Sequence, residues 1–169
     1  MVEPGPSPAE VSSRIHGCRK LRYETLGAIL QDRGVDLNQL GGTPPTAGQL
    51  YATAEDAFSV PKPDSRRGEK DGHTTASAMR LFDIFIQAAP QIIANIDDPL
   101  LAPACVLGGQ TYPMFDPNTG ACVEESVSCL IGTAATEDHL LLCDLILDEA
   151  DPNDPTDIDI KQRIAVASL

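Results

Sequence analysis

Cysteine and histidine are the side chains here whose types and spacing first suggest chemistry. Of five cysteines, Cys18 stands apart, while Cys105, Cys122, Cys129 and Cys143 share one stretch of the chain. His139 and Cys143 are four apart in a run that reads as helix, so both side chains point the same way. With Cys122 and Cys129 they form a candidate zinc set, because a neutral imidazole and thiolates make a standard tetrahedral site. The spacing speaks against it: six residues separate Cys122 from Cys129, not the short knuckle that makes zinc motifs specific.

The same pair offers a base and a nucleophile, since an imidazole can stabilise a thiolate. Neighbours on one helix rarely supply the orienting group and oxyanion donors as well. No glycine-rich nucleophile elbow surrounds Cys143. His16 and Cys18, two apart on a helix, face away from each other. A third use for Cys105, Cys122, Cys129 and Cys143 is two disulfides, with three possible connectivities. Reduced, buried thiols fit the same pattern.

The acidic residues make weaker sites. Asp151, Asn153, Pro155, Asp157 and Asp159 alternate like a calcium loop, but Thr156 and Gln162 stand where glycine and glutamate are required. These acids read as solvated helix caps. Asp116-Pro-Asn-Thr-Gly120 has the chemistry of a type I turn closed by a glycine of positive φ. Asp83, Gln87, Gln91 and Asn95 recur every fourth residue, a narrow polar stripe along a helix. If the stripe faces inward, Asp83 is a candidate perturbed carboxyl with Gln87 as its partner. If it faces water, it is the solvent edge.

That stripe belongs to the element that must organise the rest. Between Thr74 and Ile96, nearly everything outside the stripe is apolar, so the helix has to be surrounded. Arg80, Asp83, Pro90 and Asn95 rule it out as a membrane span. Pro90 predicts a kink, or two helices meeting near Ala88 and Ala89. Capping signals place further helices around it. Ser7-Pro-Ala-Glu10 opens one that runs to Arg33 and stops at Gly34, or two with a break near Gly17. Thr46-Ala-Gly-Gln49 opens a short helix that ends before Pro61. Thr133 or Thr136 opens one through Glu149, and Asp154 with Pro155 opens the last, with Ile160, Ile164 and Val166 as core positions.

These signals predict an all-α fold. It is an irregular bundle of about four to six helices around a central helix at about 75–96, with a small irregular or β-hairpin insert bearing the cysteines at 99–133. A single helical domain over 1–169 is expected, with a mobile loop at about 61–73. The last helix runs up to Leu169 without a stop signal, the pattern of a fragment of a longer chain. Met1-Val-Glu-Pro-Gly-Pro-Ser-Pro shows no signal peptide, as a chain begun after a removed one also would not. Paired cysteines would place the protein outside the cytoplasm.

The formal net charge of −13 disfavours nucleic acid and anionic membrane surfaces as partners. No cofactor and no membrane insertion are expected. The function expected is a non-catalytic structural or protein-interaction domain, a component of an assembly formed with a protein partner or by self-assembly. Zinc binding through Cys122, Cys129, His139 and Cys143 is the alternative, and a small thiol enzyme the weaker one.

Overall fold

The structure is a computed structural model that describes residues 21–60 and 74–169. Seven α-helices lie within them: α1 (Tyr23–Asp32), α2 (Ala47–Ala52), α3 (Glu55–Phe58), α4 (Thr75–Asn95), α5 (Glu124–Ile131), α6 (Glu137–Asp148) and α7 (Pro155–Ser168). A 3-10 turn, Pro103–Cys105, sits in the connection after α4. The expected all-α fold is therefore present, with more helices than expected. Isolated bridges, Leu107 with Gln110 and Phe115 with Cys122, are the β pairing among the described residues. The part of the helix expected from Ser7 that precedes Leu21 and the loop expected at 61–73 lie outside the described residues; within them the helix starts at Tyr23.

α4 begins at a capping box. Thr74 Oγ1 accepts from the Ser77 amide at 3.1 Å, and Ser77 Oγ accepts from the Thr74 amide at 2.9 Å. This reciprocal pair satisfies two backbone donors that a helix start leaves over. Ile84, Ala88, Ile92 and Ile96, four apart, are fully buried, with Ala89 beside them. α7 packs against α4, and so do α2 and α3. α4 is thus the central helix.

Of the two outcomes expected at Pro90, the division near Ala88 and Ala89 does not occur: α4 runs unbroken through the proline. Proline takes one donor out of the ladder and crowds the carbonyl four residues back, a cost of about 3 kcal/mol or more. Buried side chains before and after Pro90 hold the helix in one piece. Conversely, the helix expected from Ala47 to Ser59 is divided. Thr53 turns its hydroxyl back to the Gln49 carbonyl at 2.9 Å, and the chain leaves the helix before restarting at Glu55. In α7, Ile160 is exposed, contrary to its expected core place. Val166 is two residues on from Ile164, so a helix cannot bury Ile160, Ile164 and Val166 on one face. The face carrying Ala165 and Val166 is the buried one.

The end of α1 is fixed from three sides. Gly34 takes φ +81°, its amide bonds Gln31 O, and the Val35 amide bonds Leu30 O, the double closure of a Schellman cap. The polar stripe of α4 then seizes the loop that follows. Asn95 Nδ2 donates to Gly34 O at 2.7 Å, Gln91 Oε1 accepts from the Asp36 amide at 2.7 Å, and Gln91 Nε2 donates to Gln39 Oε1 at 3.0 Å. α2 closes over the same loop. A Cβ added at Gly48 would lie 2.5 Å from Leu37 O and 2.8 Å from Gln39 O, so only glycine allows the approach.

Tyr23 and Tyr51 join α1 to α2. Their rings stack with centroids 4.3 Å apart, and each phenol donates to the other residue's carbonyl, at 3.0 and 3.1 Å. Burial, the neighbouring Tyr51 phenol and the Glu55 carboxylate push the Tyr23 pKa up to about 12.

Arg33 is 8% exposed and makes the longest-range tie. Its Nε donates to Leu130 O at 2.8 Å, Nη2 to Cys129 O at 2.7 Å and Nη1 to Ile29 O at 3.2 Å. Three carbonyls near the C-terminal ends of α1 and α5 thus share one cation, where the helix dipoles favour positive charge. Replacing Arg33 with glutamine should cost about 3 kcal/mol or more in urea denaturation, because buried carbonyls lose their donor. Arg33→Lys should recover only part, lacking the planar fork. Tyr23 ionises near pH 10 when unfolded and near 12 when folded. Its contribution is therefore fully present below pH 10 and lost as pH rises towards 12. In an absorbance titration, the last tyrosinate step should vanish in Tyr23→Phe.

Candidate functional site

The cysteines are brought together in pairs. Cys105 is bonded to Cys129, with Cα atoms 5.2 Å apart, and Cys122 to Cys143, at 6.3 Å. The first bridge ties the 3-10 turn to α5; the second ties the chain after the Asp116 turn to α6. Hydrogen bonds place the same insert. The Cys122 amide donates to Asp144 Oδ1 of α6 at 3.0 Å, and buried Ser126 Oγ of α5 donates to the carbonyls of Tyr112 and Pro113 at 2.8 Å. Within the insert the expected turn is present. Asp116 Oδ1 accepts from the amides of Asn118 and Thr119, and Gly120 has φ +75°. Those amides hold the Asp116 carboxyl below its usual pKa.

These pairs bear on the zinc reading. Cys122 and Cys143 are bonded to each other and Cys129 to Cys105, so three of the four proposed ligands have no thiolate to offer a metal. His139 has a different task. As the third residue of α6, its Nδ1 accepts from the Thr136 amide at 3.1 Å and completes a capping box with Thr136. An imidazole here stands where glutamate or glutamine usually does. Among the described residues no three His, Cys, Asp or Glu side chains are grouped to hold a metal ion. Cys143, bonded and fully buried, is likewise no nucleophile. Cys18 and His16 lie outside the described residues.

The remaining candidates are also placed. Asp151 Oδ1 accepts from the Asn153 amide, Asp154 Oδ1 from the Thr156 amide and Asp157 Oδ2 from the Asp151 amide. The acidic loop before α7 therefore spends carboxylate oxygens on its own backbone. Asp83 is exposed, while Gln91 and Asn95 hold the 34–39 loop. The polar stripe is thus solvent edge at one end and clamp at the other. Among the described residues no helix is long and apolar enough to cross a membrane.

Two features escape a reading by sequence motifs. The first is the outer face of α6. Leu141, Leu142 and Leu145 are 58%, 43% and 54% exposed, although Cys143 between them is buried. The signal was available: three consecutive leucines, 140–142, spread too far around a helix to share one buried side. The second is a groove of about 480 Å³ beside Arg33, with Leu81, Phe82 and Phe85 of α4 and Val166 of α7 among its walls. Comparison with protein families, curated proteins and solved structures finds no match to this chain.

The bridges close loops with sequence separations of 24 and 21 residues. Loops of that length restrict the unfolded chain by about 3 kcal/mol each. Cys105→Ser with Cys129→Ser should lower the unfolding free energy by about that amount. Peptide mapping without reductant should return Cys105–Cys129 and Cys122–Cys143. Recovery of the four residues as free thiols or in another pairing would contradict the arrangement.

Proposed function

We propose that the protein is a non-catalytic protein-interaction domain, and that α6 is its docking helix. The observation that carries this reading is the exposure of Leu141, Leu142 and Leu145 on a helix anchored by a disulfide. Leu141 and Leu142 lie four and three residues before Leu145, so the three share one side of the helix. Exposed acids mark its ends: Asp138 before them and Asp148 after, beside Glu149, which Lys161 pairs. The bridges suit a compartment that oxidises thiols.

Magnitudes indicate the kind of partner. Covering three half-exposed leucines yields roughly 1 kcal/mol each. That is about 3 kcal/mol in all, less than the roughly 4 kcal/mol or more that association costs. The partner must therefore add favourable charge. A second copy would face acids with acids, across chains that each carry a net charge of −13. An apolar ridge with lysine or arginine at its ends meets both requirements and gains electrostatic steering.

A designed helical peptide with a leucine ridge and lysine ends is a direct probe. It should bind the wild-type protein, more weakly as salt rises. Leu141→Gln with Leu145→Gln should weaken binding about tenfold or more at an unchanged melting temperature. Equal binding by the double variant, or no binding by the wild type, would remove the basis for this reading.

A further inference from the structure

The groove beside Arg33 lies apart from the leucine face of α6 and combines two properties that are seldom adjacent. Its walls are apolar, including Leu81, Phe82, Phe85, Ile131 and Val166. Arg33 also lines it and carries a full positive charge, since a guanidinium stays protonated. Ion pairs among the described residues join Lys161 to Glu149 and Arg163 to Asp159, and no carboxylate of a described residue lies within ion-pair distance of Arg33. In a chain with 25 acids and 12 bases, a buried cation whose hydrogen bonds go to carbonyls, with the Asp32 carboxylate nearby but not paired to it among the described contacts, is a departure that asks for a reason. Carbonyl oxygens receive three of its N–H groups. A guanidinium has five, so two are not engaged by any described residue.

We propose that this groove binds a carboxylate-headed amphiphile, a medium-chain fatty acid, with the carboxylate on Arg33 and the chain along Leu81, Phe85 and Val166. Charge complementarity selects the head and the walls select the tail. The volume of about 480 Å³ is that of a small-molecule site. It is not the flat area that a protein partner spreads over about 20–30 residues a side. The inference is independent of the docking role of α6.

Decanoate and decanol, below the concentrations at which either aggregates, are the probes. They share the tail and differ in the charge. Arg33 itself is a poor target because it holds helix ends together. Ala78 is exposed and lines the groove, so Ala78→Trp obstructs it from the surface of α4. Calorimetry at mildly alkaline pH should show one saturable decanoate site, at least about tenfold tighter than decanol, as a charge-assisted hydrogen bond requires. Amide chemical shifts should move at Ala78, Leu81 and Ile131. Ala78→Trp should lose decanoate binding at an unchanged melting temperature. Equal affinity for decanol would show that Arg33 takes no part. Shifts confined to Leu141 and Leu145, undiminished binding by Ala78→Trp, or no saturable site would each overturn the proposal. A ligand-free dimer that Ala78→Trp dissociates would assign the groove to a second copy instead.

Discussion

One guanidinium joins parts of the chain about a hundred residues apart. Arg33 ends α1, yet its hydrogen bonds reach carbonyls at the end of α5, so the first described helix is tied to the disulfide-bearing part. A buried cation is expensive unless donors and surroundings compensate it. Here the compensation comes from carbonyls near two helix ends, whose dipoles point negative charge at the same place. The position of α1 and α5 and the environment of Arg33 therefore determine one another. Moving either helix leaves a buried charge without its acceptors. Burial lowers the Arg33 pKa, and the nearby Asp32 carboxylate offsets part of that.

A second constraint runs through the polar side of α4. Gln91 and Asn95 point out of an otherwise apolar helix because backbone groups of the 34–39 loop need partners there. Gly34 and Gly48 admit that loop where larger residues would collide. At Gly34 a Cβ would come within 2.6 Å of Asn95 Cβ. The loop is therefore held by the Gln91 and Asn95 side chains and by the lack of side chains at the glycines, together with burial of Val35. The stacked Tyr23 and Tyr51 close the same corner from the outside.

Local signals carried much of this architecture. The caps at Thr46 and Asp154, the stop at Gly34 and the turn at Asp116 act within a few residues, and each is visible in the residue types. Thr136 was one of two caps open for α6, and the structure selects it. What escaped was settled over distance. Pro90 is tolerated because packing on both sides outweighs one missing donor. Ile160 is exposed because the opposite face of α7 offers Val166. Disulfide partners are matters of three-dimensional proximity, as three connectivities were open to the four clustered cysteines. His139 was misleading for a related reason: a metal ligand and a cap need the same ring nitrogen, and only the position of Thr136 distinguishes them. Arg33 gave no motif at all, because its acceptors are backbone carbonyls that any sequence carries.

The two bridges also have a topological consequence. Cys122 lies between Cys105 and Cys129 in the chain, and Cys129 lies between Cys122 and Cys143. The loops therefore overlap instead of following or enclosing one another. A single backbone cut anywhere from Cys105 to Cys143 falls inside at least one loop, so both halves stay covalently joined. Damage to the irregular insert is contained, and α5 and α6 remain attached to the chain that carries the core.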